Sequence, residues 1–193
     1  MPIFDMTLMT PFSTALMKLA VALAASGQVD AVALECLAER TLVPAIKARA
    51  ENPNAGFDTR LRRRLTPLLP AAAKTNCKII SNLGAANPAA AGQAIAESAK
   101  SLGVSGLRIA ALEGDDVMAL AHQVQWAKPL AGRLIGAHAY LGCVPMAEAL
   151  EAGADVVVTG RVADSALFAA PVRQFLNHDA NALAGALTVG HLL

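Results

Sequence analysis

The sequence predicts an α/β domain, a mostly parallel sheet with helices on both faces in Rossmann-like layers. Three observations carry this. Five short runs, 31–35, 78–82, 107–112, 134–138 and 155–159, are rich in Val, Ile, Leu or Ala, and most are apolar on both faces, as buried parallel strands are. Segments with helix start and stop signals lie between them, the pattern of a sheet joined by crossovers. Aromatic residues make up only 4% of the chain while Ala, Leu and Val dominate, which favours helices around aliphatic strands over an all-β sandwich.

Taken in order, run 31–35 ends on Glu35 and leads into Glu39, Arg40 and Thr41. A helix follows Asp58, with Leu61, Leu65 and Leu68 on one face; Pro67 is expected to kink or end it, and Pro70 lies just beyond. Run 78–82 ends on Asn82 and turns through Gly84 into a helix over 88–102. Asn87 is its N-cap, Pro88 suits its first position and Gly103 stops it. Ala91, Ile95, Ala99 and Leu102 form its buried stripe. Run 107–112 leads to Gly114, Asp115 and Asp116, and run 134–138 to Tyr140 and Gly142. A helix over 145–152 stops at Gly153. Run 155–159 leads to Gly160, Arg161 and Asp164, and a helix with Leu167, Phe168 and Val172 as its apolar side follows. Residues 180–193 read as an apolar helix. Neither a repeat nor a linker divides the chain, so 1–193 is read as a single domain.

Composition removes several function classes. Sixteen basic against fifteen acidic side chains leave no basic excess for a nucleic-acid groove. The arginines 60, 62, 63 and 64 read as a solvated helix face, with no aromatic platform beside them. The longest run without a charge, 79–96, is broken by Asn82, Gly84, Asn87 and Pro88 and cannot be a spanning helix. The apolar stretch 8–25 holds Pro11 and Lys18 and lacks a basic leader, so neither a membrane anchor nor a signal peptide is expected. Cys36, Cys77 and Cys143 make neither a zinc pattern nor a disulfide framework, and the chain is read as reduced and cytoplasmic. Only 16% of residues are charged and 55% are hydrophobic, which means a large core or a surface covered by a partner.

In open parallel sheets, ligands bind beyond the carboxyl ends of the strands. Glu35 and Glu39 share a face if the strand passes straight into a helix. They are either an acid/base pair or a dipole partner plus a solvated glutamate. Arg40 is an anion clamp or a partner of Glu39 or Glu35. The loop 81–88 joins a buried strand to a capped helix, and its free amides would hold a phosphate or carboxylate; a plain turn is the alternative. Asp115 and Asp116 either bind a divalent cation or cap a helix. Arg161 is an anion clamp or a local partner of Asp164. The four histidines, 122, 138, 178 and 191, show no metal spacing. Trp126 needs no role beyond packing.

The segments Glu35-Cys36-Leu37-Ala38-Glu39-Arg40-Thr41 and Ser81-Asn82-Leu83-Gly84-Ala85-Ala86-Asn87-Pro88 resemble motifs of the acyclic terpene utilisation (AtuA) family. Gly114-Asp115-Asp116, Ala139-Tyr140-Leu141-Gly142, Thr159-Gly160-Arg161-Val162-Ala163-Asp164 and Val189-Gly190-His191-Leu192-Leu193 follow in the family's order. The resemblance covers 27–193. It implies a cytoplasmic protein in the breakdown of acyclic terpenes such as citronellol and geraniol, a route that runs through CoA thioesters. Members open with a strand and a glycine-rich turn that residues 1–12 do not show, and they continue beyond the motif at Gly190. The chain is therefore expected to be an incomplete domain, short of a central strand and with an open sheet edge.

The expected site follows. Glu35 and Glu39 supply acid/base chemistry, while Arg40, Thr41, Asn82, Gly84, Asn87, Tyr140, Arg161 and Asp164 hold an acyl-CoA or another anionic small molecule. Asp115 and Asp116 orient Arg161, or bind a metal if there is one. No cofactor is identified. A homo-oligomer, or a missing C-terminal part, is the expected partner. The competing reading is a non-catalytic scaffold or inactive fragment that acts through protein contact alone.

Overall fold

A computed structural model describes residues 6–8, 14–124, 134–176 and 179–192. Its five strands are β1 (Met6–Leu8), β2 (Ala31–Leu34), β3 (Lys78–Ser81), β4 (Ile109–Leu112) and β5 (Val156–Thr159). They form one parallel sheet in the order β1-β2-β3-β5-β4. The helices are α1 (Thr14–Ser26), α2 (Glu39–Glu51), α3 (Leu61–Thr75), α4 (Pro88–Ser101), α5 (Val144–Glu151), α6 (Asp164–Val172) and α7 (Ala180–Leu192). The α/β expectation holds. No helix among the described residues is long and apolar enough to cross a membrane.

Alternation along the strands builds two cores. Val32, Leu34, Ile79, Val156 and Val158 face α1, α3 and α4. Ala31, Ala33, Ile80 and Val157 face α5 and α6, with Leu183 and Leu187 of α7 packed behind. The division follows from connection handedness. The chain steps across the sheet from β1 to β3 and on to β4, then turns back to β5, so right-handed crossovers place the later helices on the opposite face. A third, smaller cluster of Leu37, Leu42, Ala45, Ala85 and Ala86 sets α2 over the carboxyl edge of the sheet.

Several expectations change. Residues 1–12 show no strand signal in the sequence, yet Met6–Leu8 pairs with Ala31–Ala33 at the sheet edge. The first strand of this chain thus lies at the sheet edge, and β2 is not left open. Three residues are too few for a period to show in sequence. Run 134–138 is not a strand. His138 makes one antiparallel bridge to Asp116, and Leu141 one parallel bridge to Val162, so this segment crosses the ends of the β4 and β5 loops instead of entering the sheet. Apolar runs this short are ambiguous in sequence.

Helix α3 passes through both Pro67 and Pro70. Each proline costs a helix interior about 3 kcal/mol. Leu61, Leu65, Leu68 and Leu69 are all but inaccessible, and four such leucines contribute roughly 6–12 kcal/mol, enough to hold the helix intact. Nor are its arginines simply solvated. Arg64 is buried against Asp58 at 3.1 Å, Arg60 meets the same carboxylate at 3.0 Å, and Arg62 pairs with Glu97 at 2.7 Å. Helix α4 starts as expected, with Asn87 Oδ1 accepting from the Ala90 amide at 3.2 Å, and buries Ala91, Ile95 and Ala99, but Leu102 caps its end exposed instead of joining the buried stripe.

Candidate functional site

The loop after β3 runs to α4 on one face of the sheet, and the loop after β5 to α6 on the other. Neighbouring strands whose loops part in this way mark the switch point where such sheets bind ligands. The two loops differ sharply in what they offer.

The β3 loop is closed on itself. Asn82 is buried; its Oδ1 accepts the Cys36 amide at 2.6 Å and its Nδ2 donates to Glu35 Oε1 at 3.1 Å. Glu35 also accepts the Leu37 amide at 2.9 Å. Gly84 has no room for a side chain, because a Cβ would lie 2.5 Å from the Thr159 carbonyl oxygen and 2.8 Å from Pro88 Cα. Asn87 Nδ2 donates to the carbonyls of Pro53 and Ala55, both at 2.7 Å. The amides of Ala85, Ala86 and Asn87, expected to hold a phosphate, donate to Asn82, Gly56 and Gly84 carbonyls.

The β5 loop carries Arg161, whose side chain is 6% exposed. Its Nη1 donates to the Leu37 carbonyl at 2.8 Å, and its Nη2 to Glu39 Oε1 and to the Tyr140 hydroxyl. The guanidinium carbon lies 4.2 Å from the centre of the Tyr140 ring, a cation–π contact. Tyr140 in turn donates to Glu39 at 3.1 Å. Glu39 itself is open to solvent. The backbone amide at the start of α2 pulls its carboxyl below the ordinary value of 4.5, and the Tyr140 hydroxyl and the Arg161 charge add to this.

Asp115, from the β4 loop, is buried beneath this cluster. One oxygen, Oδ2, accepts both the Arg161 amide at 2.8 Å and His138 Nδ1 at 2.9 Å. Gly160 is what admits it, since a Cβ there would sit 2.5 Å from that oxygen. Asp116 serves other partners: the Met118 amide at 3.1 Å and Arg49 at 3.6 Å. Among the described residues, no three His, Cys, Asp or Glu side chains converge as metal ligands do.

Helix α2 separates two pockets. On the flank of Thr41, Pro44 and Ala48 is one of about 220 Å³, also lined by Arg40, Phe57 and Asn82. Cys36 borders it too, but burial pushes its thiol up to about 12, leaving it un-ionised and a poor nucleophile at neutral pH. On the flank of Ile46 and Arg49 is a pocket of about 290 Å³, lined further by Asp116, Met118, Gly136 and His138.

The structure thus brings together Glu39, Tyr140 and Arg161, with Asp115 below them. It parts Glu35 from Glu39: residues 35–38 are not helical, so the two do not share a helix face. Arg40 and Thr41 face the smaller pocket, Thr41 also accepting the Ala38 amide at 2.9 Å to start α2. Asp164 is exposed in the first turn of α6, and Arg161 reaches back to Glu39 instead of to it. His138 and Arg49 are the residues that sequence reasoning passed over. The clue to His138 was its place, the polar end of an apolar run, and not a metal spacing. His178 and Trp126 lie outside the described residues.

Fold and site together define a doubly wound α/β protein whose polar groups gather at the carboxyl edge, beside the point where the chain reverses its direction across the sheet. Residues 10–193 match the model of the family described as acyclic terpene utilisation family protein AtuA, and the chain belongs to that family. The match starts upstream of the motifs, which begin at Glu35. Neither a curated protein nor a solved structure matches the sequence.

Proposed function

We propose that this protein serves acyclic terpene breakdown by binding an anionic intermediate, an acyl-CoA thioester first of all, at the carboxyl edge of its sheet. The observation that carries this is the buried Arg161, fixed on one side by the Leu37 carbonyl and closed on the other, among the described residues, by solvent-exposed Glu39 and Tyr140. An incoming anion takes the place of Glu39 on the guanidinium, and the tyrosine ring keeps the guanidinium planar to it. Glu39, held as a carboxylate, suits the role of counter-ion or base and not that of proton donor. Arg40 and Thr41 line a neighbouring space for a remote part of the ligand, while Glu35, Asn82 and Asn87 act through the frame. Three buried, unpaired cysteines support a reducing, cytoplasmic setting.

The test is a thermal melt of the 193-residue chain with isobutyryl-CoA and related branched thioesters. A ligand that binds only the folded state raises the midpoint. The rise is expected in the wild type and absent in Arg161→Lys, which keeps the charge but loses the planar fork. An equal rise in both removes Arg161 from the site, and no rise in the wild type removes the binding reading itself.

A second reading, a non-catalytic subunit, draws on the exposed Val189 and Leu192 of α7. It calls for self-association in sedimentation velocity that Leu192→Asp abolishes.

A further inference from the structure

We infer that His138 is a proton-transfer residue of this edge, positioned by Asp115, and that the pocket it lines with Arg49 receives the reacting carbon of an anionic thioester. The inference rests on the reading that the carboxyl edge binds such a ligand, and it adds the residue that would do chemistry there.

Geometry comes first. The His138 side chain is 7% exposed and that of Asp115 4%, so this is not a solvated surface pair. A carboxylate only accepts, so the 2.9 Å contact puts the proton on Nδ1. Nε2 is then the basic nitrogen, and among the described residues it has no hydrogen-bond partner. Asp115 cannot drift, because the Arg161 amide holds the same oxygen at 2.8 Å and the bare face of Gly160 closes over it. A buried carboxylate that fixes the tautomer and balances the charge of an imidazolium is how a histidine base is prepared.

The pocket gives that base something to act on. Its walls are apolar at Ile46, Met118 and Ile135. Its charges are Arg49 and Asp116, 3.6 Å apart and each about half exposed, which largely offset one another. The charged groups around the imidazole are therefore Asp115 beneath it, Asp116 and Arg49 across the pocket, and Arg161, whose guanidinium is turned to Glu39 and whose amide alone reaches Asp115. In the step, the Nε2 lone pair takes the proton from the carbon next to the thioester carbonyl. The C–H electron pair passes to the carbonyl as an enolate, and the proton stays on Nε2 until it returns to the substrate. No oxidant or second reactant is needed.

Two measurements on the full chain test this. The first is long-range ¹H–¹⁵N spectroscopy of the histidines, with His138 assigned by His138→Gln or, if that variant does not fold, by elimination through substitutions at His122, His178 and His191. The expected result is an Nδ1-protonated ring whose Nε2 resonance moves on adding isobutyryl-CoA, and a mixed tautomer in Asp115→Asn. The second is exchange of the α-hydrogen of isobutyryl-CoA in deuterated buffer, which His138→Gln should slow by about 100-fold or more and Asp115→Asn by roughly 10-fold. An Nε2-protonated ring overturns the inference. So does an unmoved Nε2 resonance, or unchanged exchange in His138→Gln, when the melt shows that thioester is bound; the binding reading then survives alone. If no thioester raises the melt, both fall together.

Discussion

The β3 loop and the β4–β5 edge stand side by side at the same end of the sheet, yet they spend their polar groups in opposite ways. In the β3 loop, the side chains of Asn82 and Asn87 and the amides of Ala85, Ala86 and Asn87 are satisfied by the protein itself. Across the switch point, buried Arg161 meets solvent-exposed Tyr140 and Glu39, and His138 borders a pocket. The lesson is that a glycine- and asparagine-rich turn at a strand end is as much a fastener as a cradle. What separates the two uses is whether the donors are already taken.

That contrast makes graded predictions. The largest effect is expected at Asp58, whose amide holds the Leu83 carbonyl of the β3 loop and whose carboxylate compensates the buried Arg64. Asp58→Ala removes the carboxylate that faces this buried charge and should lower stability by about 3–5 kcal/mol in denaturant melts. A loss under 1 kcal/mol would mean that the Asp58 carboxylate is not what balances Arg64. Next is Asn82→Ala, which leaves a buried Cys36 amide without its acceptor and takes one of two donors from Glu35. A loss of roughly 2–3 kcal/mol is expected.

On the open edge the balance tips from stability to site. Gly160→Ala pushes a methyl group into the Asp115 carboxylate and should cost roughly 1–3 kcal/mol while disturbing the His138 resonance. An intact resonance would break the claimed link between the two residues. The smallest effect is that of Glu39→Gln. Glu39 has a folded pKa below its unfolded one, so its contribution is present above the ordinary value of 4.5 and is lost as pH falls through the lower, folded value. Wild type and variant should therefore differ slightly at neutral pH and converge in acid; a gap that widens in acid would reverse the assignment.

Much of the frame was legible because it rests on local rules. The α4 cap at Asn87 and four of the five aliphatic runs lie where the period and the capping chemistry place them. Helix α3 was legible only to Pro67, since burial of leucines on one face outweighs a rule about single residues. Helix α2 escaped notice because Pro44 interrupts a mixed, polar pattern. At the site, Arg161, Glu39 and Tyr140 could be nominated by their strand-end positions. Their meeting could not, because Glu39 and Arg161 stand 122 positions apart and only the strand order joins them. The same holds for His138, whose partner Asp115 lies 23 positions upstream on a different loop.

The strand order also has a consequence for how the chain is made. Among the described residues β4 pairs with β5 alone, and β5 lies between it and β3. During synthesis β4 therefore leaves the ribosome before β5 exists, and the chain must grow by 44 positions, from Leu112 through Val156, before the two can begin to pair. At ~5–20 residues per second that is a wait of roughly 2–9 s with a bare edge. β2 and β3, each beside the strand made just before it, have no such wait, and β1 waits only for the next strand to be made. Nascent chains halted before Val156 should thus hold an ordered β1–β3 half and a β4 that protease still cuts.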